Sequence, residues 1–315
     1  MADFDTAPDE LDLLEQTVRK TMLTVAAGAE LDRALAELGW TDMLTDIPNL
    51  AIPLVFRLLG ETGSHAPLLN DVILHTAGAD PLGTTPLPFT GGAWLEWERT
   101  DRAGTTVDEQ LPLHPVRLIG PASTGTDRAG GPSPDALHGF ATTDPLDARE
   151  VTPGPLANGH GTDAHRSARH EALAAGRRAL AWWLVGSSRA MLGLARRHAL
   201  EREQFGRPVA AFQAVRHRLA EALIAIEGAE ATLTVAGDDL GALLAKAAAG
   251  RAAQITARHC QQVLGGIGFT AEHDLHRHVR RTLVLDGLLG STRELVREAG
   301  VLIRTEGAAP RLAQL

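Results

Sequence analysis

The run REQFGRPVAAFQAVRHRLAE, from Arg202 to Glu221, carries groups suited to holding a phosphorylated ligand. An arginine, the amides of Gln204 and Gln213, and the ring of Phe205 stand just before and into an apolar-periodic stretch. Val209, Phe212, Val215, Leu219, Leu223 and Ile226 recur at three- and four-residue steps, which predicts a helix. Pro208 is expected in its first turn, where a missing N–H costs nothing. Arg202 then falls at a break between two helices, and its guanidinium offers several donors in a fixed fork that matches a phosphate. The competing reading is a surface arginine paired with Glu201 or Glu203, since charged helix ends are common.

A second segment, HCQQVLGGIGFTAEHD from His259 to Asp274, ends an alanine-rich helical stretch in a glycine cluster. Gly265, Gly266 and Gly268 expose backbone N–H groups and permit close approach of a ligand. Gln262 lies one turn earlier. Glycines alone in this pattern often mark only a helix C-cap. The two motifs in this order and spacing are more specific than either.

Together they resemble the acyl-CoA dehydrogenase family. The resemblance is strong from Ala172 to Arg304, moderate over the N-terminal part, through LAELGWTDML and FRLLGETGSHAPLL, and poor between Pro81 and Arg166. It implies FAD held between subunits, with the arginine segment supplied by the neighbouring chain. Arg202 would reach the FAD pyrophosphate, Gln204, Phe205 and Gln213 would line the adenosine and ribityl region, and Gln262 and Gly266 would contact the adenine-side phosphates. The family's reaction is α,β-desaturation of an acyl-CoA thioester. It needs a carboxylate to take the α-proton while the flavin accepts hydride.

Two family features are absent. The middle-domain strands that hold the flavin ring have no counterpart, and Trp94 and Trp97 sit in AWLEWERT, which does not match them. The family's usual base position falls on Leu289, in Leu288-Leu289-Gly290-Ser291-Thr292, and its alternative position falls on Gly176. Glu171 lies more than a turn from Gly176, and Asp286 and Glu294 are the other nearby carboxylates. These absences match the actinobacterial heteromeric, steroid side-chain type, which implies an α2β2 assembly with a second acyl-CoA dehydrogenase-like subunit and an electron-transfer acceptor. The rival readings are a self-sufficient homo-oligomer with a displaced carboxylate base, and a non-catalytic scaffold.

Composition agrees with a helical enzyme subunit. Of 315 residues 44% are hydrophobic and none is tyrosine, so a sizeable core and helix over sheet are expected. A net charge of −9 without a basic patch argues against nucleic acid. The lone cysteine, Cys260, excludes an internal disulfide and reads as a buried core thiol. The acidic start MADFDTAPDELDLLEQ does not read as a signal peptide, and no apolar run reaches the length of a membrane span. No membrane insertion and a cytoplasmic location are the expectations.

The elements that must position these groups fall into three expected domains. A helical domain over 1–83 contains helices at 9–36, 51–60 and 67–77, with Leu11, Leu14, Val18, Met22 and Val25 on one face and Gly39 as a stop. A reduced β-rich domain with its linker spans 84–165, where AWLEWER and HPVRLIG read as strands and TPGPLANGHGTDAHRSARH as a linker. A four-helix bundle over 166–315 has segments near 167–200, 208–236, 239–264 and 275–303. The fold class is mainly α, of the acyl-CoA dehydrogenase kind. Among thirteen histidines, His273, Asp274, His276 and His278 cluster, with His273 and His276 expected to share a helix face; a metal is the minor reading and boundary packing the main one.

Overall fold

The computed structural model describes residues 8–100, 113–119 and 163–307. Five N-terminal helices come first: α1 Pro8–Thr24, α2 Ala29–Glu37, α3 Trp40–Asp46, α4 Pro48–Thr62 and α5 Leu68–Thr76. The apolar stripe predicted over 9–36 is real, with Val18, Met22, Leu31 and Leu35 buried, but it belongs to two helices. Gly28, at φ 92°, turns the chain and donates its N–H to His65 O at 2.7 Å. Gly39, at φ 86°, ends α2 as expected, and the short α3 follows it directly.

Three strands follow: β1 Pro86–Phe89, β2 Ala93–Trp97 and β3 Val116–Ile119, in an antiparallel sheet ordered β1-β2-β3. The two predicted strands are β2 and β3, paired from Trp94↔Ile119 to Trp97↔Val116. Trp97 is fully buried and stacks on Trp183, their ring centroids 5.8 Å apart. Trp183 meets Phe56 edge-on at 5.9 Å, and Phe56 meets Trp40 at 6.4 Å, so one aromatic chain joins the sheet, α3, α4 and the bundle. Arg99, just past β2, bonds Asp32 on α2 and Asp71 on α5, and Asp71 also accepts from Trp40 Nε1 at 2.8 Å.

The C-terminal half is the expected bundle: α6 Asp163–Glu201, α7 Gln213–Thr234, α8 Asp239–Leu264, α9 Leu275–Gly287 and α10 Thr292–Glu306. The last of the four predicted segments is two helices, and residues 163–170 of the expected linker are the first turns of α6; the rest of that linker, with His160, lies outside the described residues. Small residues let α6 lie close on α4, because a Cβ on Gly60 or Gly186 would collide with facing backbone of Trp183 or Arg57. At one end of the bundle Met191, Ala195, Ala199, Cys260, Val263, Leu264 and Leu275 form a second core against Val215 and Leu219. Burial pushes the Cys260 thiol up to about 12, so it stays protonated and packs as an apolar group.

Candidate functional site

The arginine motif is a hairpin. α6 ends at Glu201, and two short strands, β4 Glu203–Gln204 and β5 Arg207–Pro208, pair antiparallel with Gln204 opposite Arg207. Phe205 at φ 55° and Gly206 at φ 75° both take the left-handed conformation that a tight two-residue hairpin turn requires. Val209 N–H donates to Arg202 O at 2.8 Å and closes the loop. Pro208 therefore does not open the helix: it caps a strand, a turn of 3-10 helix follows at Val209–Ala211, and α7 starts at Gln213. Leu223, expected on the apolar stripe, is 43% exposed, whereas Ile226 is buried.

Phe205 stands 91% exposed at the hairpin tip. Its ring meets Phe212 edge-on at 6.1 Å, and the Arg207 guanidinium lies 4.3 Å from the Phe212 ring centre. Arg202, Gln204 and Gln213 are exposed too. Among the described residues Arg202 forms no ion pair, so the expected alternative of pairing with Glu201 or Glu203 is not realised.

The glycine motif is a loop. Gly265, at φ 66°, ends α8, and a 3-10 turn spans Gly265–Phe269. Open space surrounds Gly265 and Gly266, while Gly268 is buried where a Cβ would stand 2.8 Å from Gln261 O. Gln262 and Gly266 are exposed. The two motifs share one end of the bundle. His198 near the end of α6 faces His273 after the glycine loop, ring centres 6.4 Å apart, and His259 on α8 contacts Arg218 at 3.4 Å and Glu221 at 3.2 Å on α7. Burial, then His273 and Arg202, hold His198 below its ordinary range. His273 precedes α9, so it shares no helix face with His276; its Nδ1 accepts from Leu275 N at 3.1 Å instead.

The two positions implied as base sites adjoin each other. Both Gly176 and Leu289 are buried, and a Cβ on Gly176 would lie 2.8 Å from Leu289 Cδ1 and 2.9 Å from Ile73 Cγ1. Leu289 sits at φ 54°, in a turn between α9 and α10 fastened on all sides. Its N–H donates to Pro88 O at 2.8 Å, and Arg177 Nε donates to its carbonyl at 3.2 Å. Lys246, fully buried on α8, donates to Asp286 O at 2.9 Å and Gly290 O at 2.6 Å. Burial pushes its ammonium down to about 7.

The nearby carboxylates are placed elsewhere. Asp286 accepts from Thr292 Oγ1 at 2.5 Å and Gln254 Nε2 at 3.2 Å, on the α8 side of the turn. Glu294 closes a capping box with Ser291 and also accepts from Gly91 N. Its hydrogen bonds outweigh its burial and keep its carboxyl below the usual range. Glu171 is exposed on α6.

Sequence reasoning missed Arg207, Phe212, Ile73 and Lys246 as parts of these sites. Lys246 had a visible signal: it is a charged residue in the alanine run of α8, and Lys20 is the only other lysine in the chain. Among the described residues no helix is long and apolar enough to cross a membrane.

A helical N-terminal unit, a small sheet and a five-helix C-terminal unit carrying these two motifs at one end define the acyl-CoA dehydrogenase fold. Residues 166–298, less than half of the chain, match the family "Acyl-CoA dehydrogenase, C-terminal domain". Acyl-CoA dehydrogenase FadE34 of Mycobacterium tuberculosis is 40% identical over 128 residues, which are 38% of this chain and 18% of that protein. The match thus spans less than a fifth of that relative's length. The Tcur3481-Tcur3483 steroid ACAD has the same fold at TM-score 0.65 and 19% identity, covering 96% of this chain and 99% of that one. The ChsE4-ChsE5 complex of M. tuberculosis aligns at TM-score 0.60 and 20% identity, covering 98% and 100%.

Proposed function

We propose that this chain is one subunit of an FAD-dependent acyl-CoA dehydrogenase, and that it is the subunit without the catalytic base. The reaction is α,β-desaturation of an acyl-CoA thioester. A second acyl-CoA dehydrogenase-like subunit completes an α2β2 assembly and brings the carboxylate. The observation that carries this reading is the junction of Gly176, Leu289 and Ile73: both base positions are buried at one point, and aliphatic side chains fill it.

The residues present fit FAD. Arg202 is exposed and without an ion pair among the described residues, and Gly265 and Gly266 face open space at the same end of the bundle. A guanidinium without an ion pair suits a pyrophosphate, and so do open backbone amides. Bound FAD supplies the hydride acceptor of the reaction. Arg202 grips its phosphates, Gln204, Phe205 and Gln213 line the adenosine and ribityl region, and Gln262 and Gly266 meet the adenine-side phosphates. The exposed Phe205 ring excludes water from that boundary once the partner covers it. Leu289 neither accepts nor releases a proton, so the α-proton goes to the partner's carboxylate. The two-part name of the steroid ACAD and the ChsE4-ChsE5 complex, both of this fold, support a heteromeric arrangement. Acyl-CoA dehydrogenase family members bind FAD, which supports the cofactor.

Purification of the chain alone and with its partner tests the reading. The chain alone should retain little or no FAD, and the complex should hold less than one FAD per chain. A yellow homo-oligomer with one FAD per chain and desaturase activity would contradict it and favour the self-sufficient enzyme.

A further inference from the structure

The hairpin holds a second cation that the reading above leaves unused. We propose that Arg207 is a second phosphate-binding residue toward FAD, and that Phe212 is the residue that positions it. The inference rests on the FAD reading of the Arg202 hairpin and adds a contact to it.

Three observations carry it. The register sets Arg207 directly opposite Gln204, so the two side chains leave the hairpin on one face. The Arg207 guanidinium lies over the Phe212 ring, 4.3 Å from its centre, and Phe205 meets that ring edge-on at 81°. Stacking occupies a flat face of the guanidinium and leaves its N–H donors, which lie in its plane, free to bond oxygen.

The third observation concerns counter-charge. Several half-buried arginines of this chain pair with carboxylates: Arg19 and Arg57 with Glu15 and Glu61, Arg177 with Glu298, Arg189 with Glu227 and Glu230. In the hairpin, Arg202 and Arg207 lie beside Glu201 and Glu203, yet neither forms an ion pair among the described residues. An aromatic support in place of a carboxylate holds the guanidinium still without neutralising it. That arrangement lowers the ordering cost of binding an anion and keeps the full charge for it.

FAD titration of the flavin-stripped complex at several ionic strengths provides the test, with Arg207→Gln, Arg207→Lys, Phe212→Leu and Arg202→Gln compared. Arg207→Gln should weaken FAD binding about tenfold and reduce its salt dependence, because one charge contact is gone. It should weaken ADP competition in step and leave riboflavin, which has no phosphate, unaffected. Arg207→Lys should recover part of the loss. Phe212→Leu should weaken FAD about threefold with the wild-type salt dependence, since the charge remains but is no longer held. If Arg202→Gln weakens FAD while Arg207→Gln changes neither affinity nor salt dependence, the inference is wrong and the FAD reading stands. If Arg207→Gln lowers only thermal stability, its role is structural and the inference again falls. A wild-type complex that binds no FAD would remove the reading and the inference together.

Discussion

Leu289 Cδ1 lies 2.8 Å from the point where a Cβ on Gly176 would stand. One residue is on α6 and the other in the turn after α9, 113 positions apart in sequence, and Ile73 of α5 closes the contact from a third side. The glycine accommodates the leucine, and the leucine fills what the glycine leaves. A carboxylate side chain at Gly176 would collide with Leu289 and Ile73.

That relationship predicts a coupling energy. Gly176→Ala should destabilise the chain by about 1–3 kcal/mol through overpacking. Leu289→Ala should cost about 2–5 kcal/mol through the cavity it leaves. The added methyl would occupy part of that cavity, so the double variant should be at least about 1 kcal/mol more stable than the sum of the single losses implies. Urea titration of the four proteins measures this, and strict additivity would show that the two residues do not press on one another.

The turn itself depends on Lys246. Lys246→Met should cost about 3 kcal/mol, because two buried carbonyls, of Asp286 and Gly290, lose their donor. Lys246→Arg should not restore the loss, since a planar guanidinium does not fit a fully buried site shaped for an ammonium. Equal urea midpoints for wild type and Lys246→Met would contradict this role.

The predicted bundle and the observed one agree where local pattern decides the outcome. The apolar periodicity of α7 and α8 and the left-handed stop at Gly39 were legible because each depends on near neighbours. The break between α9 and α10 was not. Its apolar run, LVLDGLLG, continues a helical pattern and masks the local stop at Gly290 and the Ser291 cap, while Lys246 and Arg177, both distant in sequence, hold the turn's carbonyls. The hairpin at Phe205 was hidden for a similar reason. A bulky ring at positive φ is not a turn signal, and Pro208 suits a strand end as readily as a helix start. The candidate site divides along the same line: the ligand-facing residues were readable as a motif, whereas Arg207's aromatic support and the closure at Gly176 are tertiary facts.

Buried histidines weaken the fold in acid, partly offset by Asp71, whose burial raises its carboxyl to about 7. Burial, then Arg281, hold His65 down to about 3 and His278 down to about 4. Unfolded, both take up protons near 6.5. Between those values the unfolded state binds more protons, so stability is full above pH 6.5 and is lost as pH falls toward 4. Urea midpoints at pH 7.5, 5.5 and 4.5 should decline in that order, and His278→Leu should flatten the decline. A midpoint independent of pH across that range would rule this out.

Arg202 should dominate flavin retention. Arg202→Ala should weaken FAD binding in the complex by about 2–3 kcal/mol, the scale of a charge-assisted hydrogen bond to a charged acceptor. Arg202→Lys should recover only part, since lysine lacks the fork. Unchanged flavin content in both would mark Arg202 as a surface charge.

The central claim is that proton abstraction does not use a carboxylate of this chain. Its most direct test is the single-turnover rate of flavin reduction by acyl-CoA in the assembled complex, with Glu171→Gln and Asp286→Asn introduced here. The account predicts rates within a few-fold of wild type for both, with folding and FAD content unchanged. Loss of a true general base costs about 10²–10⁴-fold. A fall of that size for either variant, with FAD still bound, would place the base in this subunit and contradict the account.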